Sequence, residues 1–112
     1  ASGRPGVPRF GPNVDGHFFP RLPAGIYAAG EQARVPLLAG WNSEEMPAAA
    51  VLQGEPATPE RVRALLARTF GARAEEAAAH FPTGTADEAL QSATDLAGDQ
   101  FIAYSTWKWL EE

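Results

Sequence analysis

The chain contains no cysteine, no long apolar run and no cluster of basic residues. Without cysteine, neither a disulfide framework nor a thiolate metal site can form within it. No apolar run approaches the roughly 18 residues of a membrane-spanning helix, so we predict no transmembrane segment. The nine Lys and Arg residues are dispersed among fourteen Asp and Glu residues, which gives a formal net charge of −5. Nucleic acid is therefore not an expected partner.

The length of 112 residues and the hydrophobic fraction of 45% suit one domain with a modest core. Residues 1–12 contain three prolines and three glycines. Because proline lacks an N–H and glycine has no preferred backbone conformation, we predict an extended surface lead-in over this segment.

Two short segments have the pattern of β-structure. The turn dipeptide Asp15-Gly16 lies between apolar flanks, which predicts a small hairpin over about residues 13–19. The apolar run from Arg34 to Trp41 is too short for a buried helix, and it predicts a core-type strand over about residues 35–41. Such a strand needs neighbours on both edges, and no other segment supplies them. The sequence thus predicts part of a sheet whose remainder lies elsewhere.

Most of the remaining chain is predicted to be helical. Pro23 begins a short helical stretch that Gly30 ends. Thr58 and Pro59 are typical of a helix cap and first position, and Val62, Leu65, Leu66 and Phe70 then fall on one face before Gly71.

Two further helices are expected after Gly71. An alanine-rich helix is predicted from about Ala72 to His80. Thr85 and Glu88 have the spacing of a capping box, and the helix that they begin is expected to reach the chain end. Gly98 inside that helix predicts either a close helix contact or a kink.

The segment Gly40 to Met46 places two carboxylates directly after the predicted strand. In open α/β sheets, functional side chains collect beyond the carboxyl ends of strands, where Glu44 and Glu45 would lie. The same residues are also typical of the solvated first turn of a helix, with Ser43 as its cap and acidic residues favoured by the helix dipole. Local pattern alone leaves both interpretations open.

A longer stretch resembles type B carboxylesterases and cholinesterases. The family has a Pro-x-x-Asp-Gly-x-x-Phe/Leu-Pro turn, a Val-Pro-Leu-Leu-x-Gly strand and an Asn-x-Asp-Glu-Gly loop, and the matching text here is FGPNVDGHFFP followed by GEQARVPLLAGWNSEE. Gly98-Asp99 in the last helix is similar to a Gly-Asp element of the family. The positions that match in spacing are Pro12, Asp15, Gly16, Phe19, Pro20, Gly30, Pro36, Gly40, Asn42 and Glu45.

The resemblance implies a fold, a role and one catalytic residue. It implies that residues 1–112 are part of a single α/β-hydrolase catalytic domain, mostly helical, which is incomplete in this chain. The matching catalytic acid is Glu45, with Glu44 in place of the usual Asp and Met46 in place of the usual Gly. The implied enzyme is a serine carboxylic-ester hydrolase that acts on a small-molecule ester and uses no cofactor or metal.

The other members of a catalytic triad are not expected in this chain. No G-x-S-x-G motif is present, and triad order in these hydrolases is serine, acid, then histidine. His17 and His80 are expected to be surface residues or, for His80, a cation at a helix end. We therefore expect the isolated chain to be inactive and to associate with itself or with the rest of its parent protein.

Two alternative functions stay open at this point. A non-catalytic, adhesion-type homologue would keep the fold without the nucleophile, and a free-standing helical binding module would need no triad. Asp95 and Asp99, spaced i, i+4, are candidate cation ligands, although such a pair is usually a polar helix face. Trp107 and Trp109 are expected to pack in a core or an interface, with a carbohydrate platform as the alternative.

Overall fold

The computed structural model describes residues 13–111, and it divides into two compact units at residue 36. In the first unit, α1 spans Pro23–Ala28, with Pro23 at its first position as predicted. Gly30 has a φ of +67°, and its N–H donates to the Tyr27 carbonyl at 2.8 Å. The left-handed residue ends the helix because glycine adopts this conformation without steric cost.

The predicted hairpin over residues 13–19 is wrong. Asp15 Oδ1 instead accepts the backbone N–H groups of His17, Phe18 and Phe19 at 2.9, 2.9 and 3.2 Å. Gly16 turns the chain with a φ of +77°. An Asp side chain that satisfies consecutive backbone donors gives the chain a local alternative to a strand ladder. The turn that the sequence predicts is present, but no strands flank it within the described residues.

The predicted core-type strand over residues 35–41 is also wrong. Described residues of this segment form no strand, and Leu38 is 99% exposed. A strand exists only where a neighbour completes its hydrogen-bond ladder, and every regular element between residues 13 and 111 is helical. The described part of the chain is therefore all-helical, which corrects the expected fold class of an α/β-hydrolase fragment with one strand and a hairpin.

The second unit contains the remaining helices. They are α2 (Ala49–Leu52), α3 (Pro59–Phe70), α4 (Ala74–Ala78), α5 (Ala86–Gly98) and α6 (Tyr104–Glu111). A 3₁₀ turn, Gly71–Arg73, joins α3 to α4, and a π-helical segment, Asp99–Ala103, joins α5 to α6. The short α4 replaces the longer alanine-rich helix expected from Ala72 to His80.

The capping predictions for α3 and α5 are confirmed. Thr58 Oγ1 accepts the Arg61 N–H at 3.4 Å, and Gly71 ends α3 with a φ of +55°. At α5, the Glu88 N–H donates to Thr85 Oγ1 at 3.2 Å while Glu88 Oε2 accepts the Thr85 N–H at 3.0 Å. Each bond provides an acceptor for a backbone N–H at the start of a helix, where the N–H groups have no acceptor within the helix itself.

The core lies where α2, α3 and α5 meet. Ala89 and Ala93 are fully buried on α5, and such small side chains allow the neighbouring helices to approach closely. Ser92 lies beside them, and its hydroxyl donates to the Pro82 carbonyl at 2.7 Å. The buried cluster consists of Ala48, Leu52, Val62, Leu65, Leu66, Ala89, Ala93 and Leu96.

The distortion expected at Gly98 takes a specific form. No described atom outside the local backbone lies within 4 Å of the position that a Gly98 Cβ would occupy, so a close helix contact is excluded. The helix instead widens to π-helical bonding from Asp99 onward. Segments of this kind occur mostly as single-turn bulges, frequently at functional sites.

Candidate functional site

The turn that carries Glu45 is held by Asn42. Glu45 Oε1 accepts the Asn42 backbone N–H at 2.6 Å and the Asn42 side-chain Nδ2 at 3.1 Å. The two residues are three apart, which is the spacing at which a Glu side chain reaches back to the backbone of a capping residue. Two donors on one oxygen restrict the orientation of the carboxylate.

Glu44 and Glu45 have different environments. The Glu44 side chain is exposed, whereas Glu45 and the following Met46 are half-buried. Ala48, three residues after Glu45, is buried in the core cluster and leads into α2. The turn is therefore attached to the core immediately after Glu45, which makes Glu45 the better-fixed carboxylate of the pair.

Met46 does not strain this turn. Among residues 13–111, the only non-glycine residue with positive φ is Gln53. Met46 therefore has a backbone conformation open to ordinary side chains, and the turn does not need the glycine that the carboxylesterase family usually has there.

The second oxygen of Glu45 is available. No described group donates a hydrogen bond to Oε2, while Oε1 has two donors. An ionised carboxylate has several acceptor positions, so Oε2 can accept an N–H group from outside the turn. A carboxylate held by one oxygen and open at the other can bind and orient an imidazole.

Within the unit of residues 37–111, no histidine forms a hydrogen bond to Glu45. His17 belongs to the first unit, where its backbone N–H donates to Asp15. His80 lies in the turn after α4 and lines a cavity of about 450 Å³ with Arg73, Glu76 and Asp99, among others. Within the described residues, Glu45 has hydrogen bonds to Asn42 alone.

A second feature of this unit is an aromatic groove, which the sequence did not predict. Its cavity volume is about 580 Å³, and it is formed by the end of α3, residue 81, the π-helical segment and α6. Trp41, the residue before the Glu45 turn, is part of its wall. The lining residues are Trp41, Thr69, Phe70, Phe81, Leu96, Asp99, Gln100, Ala103, Tyr104, Ser105 and Trp107.

Asp99 is the acidic residue of the groove wall. Desolvation raises the pKa of its carboxyl group above the ordinary value, and the neighbouring Asp95 charge raises the pKa further. The Asp95 carboxylate accepts a hydrogen bond from Gln91 Nε2 at 2.8 Å, whereas no described group donates to the Asp99 carboxylate. The aspartates do not form a metal site with a third ligand, since residues 13–111 contain no group of three or more His, Asp or Glu residues placed to hold an ion.

Of the two tryptophans considered from sequence, Trp107 lines the groove and Trp109 does not. Trp107 is 48% exposed and lies 6.0 Å, between ring centroids, from Tyr104. Tyr104 and Trp107 follow Gly98-Asp99 closely in the sequence. The other aromatic residues of the groove, Trp41, Phe70 and Phe81, lie far from them along the chain, so the sequence alone did not indicate a common site.

Comparisons with known proteins add no relative. The chain gave no significant match to a family model, to a curated protein or to a solved structure. None of the helices in residues 13–111 is long and apolar enough to cross a membrane. The likeness to carboxylesterases therefore rests on the residues of the turn and of the segments around it.

Proposed function

We propose that this chain supplies the catalytic acid, Glu45, of a serine carboxylic-ester hydrolase similar to type B carboxylesterases. The observation that carries the proposal is the geometry of the Glu45 carboxylate, fixed through Oε1 by Asn42 and open at Oε2. The residue at the position of the family's acid thus has the better-fixed of two adjacent carboxylates. The serine and the histidine belong to other segments of the hydrolase.

The role of Glu45 follows from triad chemistry. Oε2 accepts the Nδ1–H of the histidine, which fixes the imidazole tautomer so that Nε2 faces the serine hydroxyl. Nε2 takes the serine proton as the serine attacks the ester carbonyl, and the Glu45 charge stabilises the imidazolium that forms. The proton then passes to the leaving alcohol, and water hydrolyses the acyl-enzyme by the same route. Asn42 keeps Oε1 occupied throughout, so that only Oε2 turns to the imidazole.

The decisive comparison is between Glu45→Gln and Glu44→Gln in the complete hydrolase. Neutralising a triad acid in place lowers kcat by about 10³ to 10⁴ fold, so we expect a loss of that order for Glu45→Gln. Glu44→Gln removes the same charge from the adjacent exposed position and should change kcat far less. Steady-state hydrolysis of a p-nitrophenyl ester measures both. Equal losses, or a larger loss for Glu44→Gln, would contradict the assignment of Glu45.

The isolated chain provides a second comparison. Because an acid without a serine or an imidazole has nothing to orient, the chain should cleave p-nitrophenyl acetate no faster than buffer does. Turnover that disappears in Glu45→Gln would show that a nucleophile lies within these 112 residues, and the division of the triad between segments would be wrong.

One observation favours a second candidate, a helical binding module. Residues 37–111 bury their own apolar cluster around α2, α3 and α5, and they leave an aromatic groove open beside it. A binding module needs such a groove and needs no triad. This candidate predicts ligand binding by the isolated chain with no dependence on Glu45.

A further inference from the structure

The aromatic groove and Asp99 together define a candidate ligand site distinct from the Glu45 turn. Five of the eleven lining residues are aromatic, and Asp99 supplies the one carboxyl group among them. Apolar walls with a few placed polar groups are the usual construction of small-molecule sites.

Asp99 lies where two cavities adjoin. It lines both the groove and the neighbouring cavity of about 450 Å³, and Phe70 and Phe81 are likewise shared by the two. That second cavity contains one guanidinium, Arg73, whose Nε and Nη2 donate to the two Glu76 carboxylate oxygens at 2.8 and 2.7 Å. Since Glu76 already neutralises Arg73, that cation is not available to Asp99.

Among the described residues, the Asp99 carboxylate has no ion pair with a cation, including Arg73 and His80 of the second cavity. No described group donates a hydrogen bond to its carboxylate, and the charge that raises its pKa is the like charge of Asp95. Desolvation and this repulsion both penalise the ionised form, and the attraction of a bound ammonium group would offset both penalties. Aromatic faces also attract cations, which adds to the complementarity.

We propose that the groove binds a small organic amine in its protonated form, with an aromatic body against Trp41, Phe81 and Trp107 and the ammonium group on Asp99. The aromatic body displaces water from the apolar walls. The ammonium N–H groups supply the donors that Asp99 lacks, as charge-assisted hydrogen bonds. This inference is independent of the ester-hydrolase proposal, since it involves neither Glu45 nor Asn42.

The test compares 2-phenylethylammonium with its uncharged analogue 2-phenylethanol at pH 7. Trp41 and Trp107 line the groove, so a saturable change in tryptophan fluorescence of the 112-residue chain reports binding. Because a hydrogen bond to a charged group is stronger than a neutral one, we expect the amine to bind about ten-fold more tightly than the alcohol. Equal affinity for the two probes, or saturable binding of neither, would overturn the proposal.

Two variants locate the charge. Asp99→Asn should weaken amine binding about ten-fold and leave alcohol binding unchanged, because it removes the charge with little change in shape. Asp87→Asn removes the same charge from the first turn of α5, outside the groove, and should leave both affinities unchanged. Equal weakening of amine binding in the two variants would show a general effect of net charge and would rule out a site at Asp99. Circular dichroism checks that both variants keep their helices. If a variant fails to fold, the comparison of the amine with the alcohol in the unsubstituted chain still tests the proposal.

Discussion

Asp15 closes the turn over residues 15–19 with a single carboxylate oxygen. Its bonds to the backbone N–H groups of His17 and Phe19, with a smaller contribution from Phe18, lower the pKa of this carboxyl group below the ordinary value of 3.8. These bonds favour the ionised form, since a protonated carboxyl group is a weaker acceptor. The turn and the protonation state of one exposed residue are therefore linked.

The linkage gives a pH prediction with a definite sign. The folded-state pKa is lowered, so the stabilisation of the turn is fully present above the ordinary value of 3.8 and is lost as the pH falls through the lower folded value. The backbone amide signals of residues 17–19 should shift together in an NMR titration, with a midpoint below 3.8. Asp15→Asn keeps an acceptor oxygen and should abolish this transition. A midpoint at or above 3.8 would show that the three bonds do not form in solution.

At the scale of the helix, the sequence predicted those features correctly that depend on hydrogen bonds between residues close together in the chain. Thr58, Thr85 and Glu88 form their capping bonds within three residues, so their spacing alone determined the helix starts. The segment over residues 35–41 has an equally clear apolar pattern, but a strand depends on a partner that the pattern does not contain. The aromatic groove was missed for the same reason, because Trp41, Phe81 and Trp107 come together only in the folded unit.

The packing of α3 against α5 gives a prediction at this scale. Leu66 is 2% exposed within the core cluster, so Leu66→Ala should lower the free energy of unfolding by about 2 to 5 kcal/mol through lost burial and the cavity left behind. Leu90 lies on α5 but is 53% exposed, and Leu90→Ala should change the free energy of unfolding by about 0.5 kcal/mol or less. Urea unfolding followed by circular dichroism measures both. Similar losses in the two variants would mean that this helix interface is not the core.

At the scale of the whole molecule, the candidate catalytic site could be predicted only in part. The position of Glu45 followed from the residues around it, because a motif specifies a sequence position. Its contacts with Asn42 and the open Oε2 are properties of the folded turn. Met46 shows the difference, since it departs from the motif and yet has a negative-φ backbone that the turn accepts.

Several large apolar side chains of residues 37–111 are exposed. Leu38 is 99% exposed and Phe101 is 58% exposed, and neither lines the aromatic groove. Residues 101–110 contain five exposed large apolar side chains, a density that is uncommon on soluble monomers and is typical of an association surface. We therefore expect the isolated chain to self-associate, so that its average mass in sedimentation velocity rises with concentration. Phe101→Asp and Leu38→Asp should each reduce this rise, whereas Leu90→Asp, at an exposed leucine on α5, should leave it unchanged. A constant monomer mass at every concentration would show that these side chains tolerate water, and the expectation of self-association would be wrong.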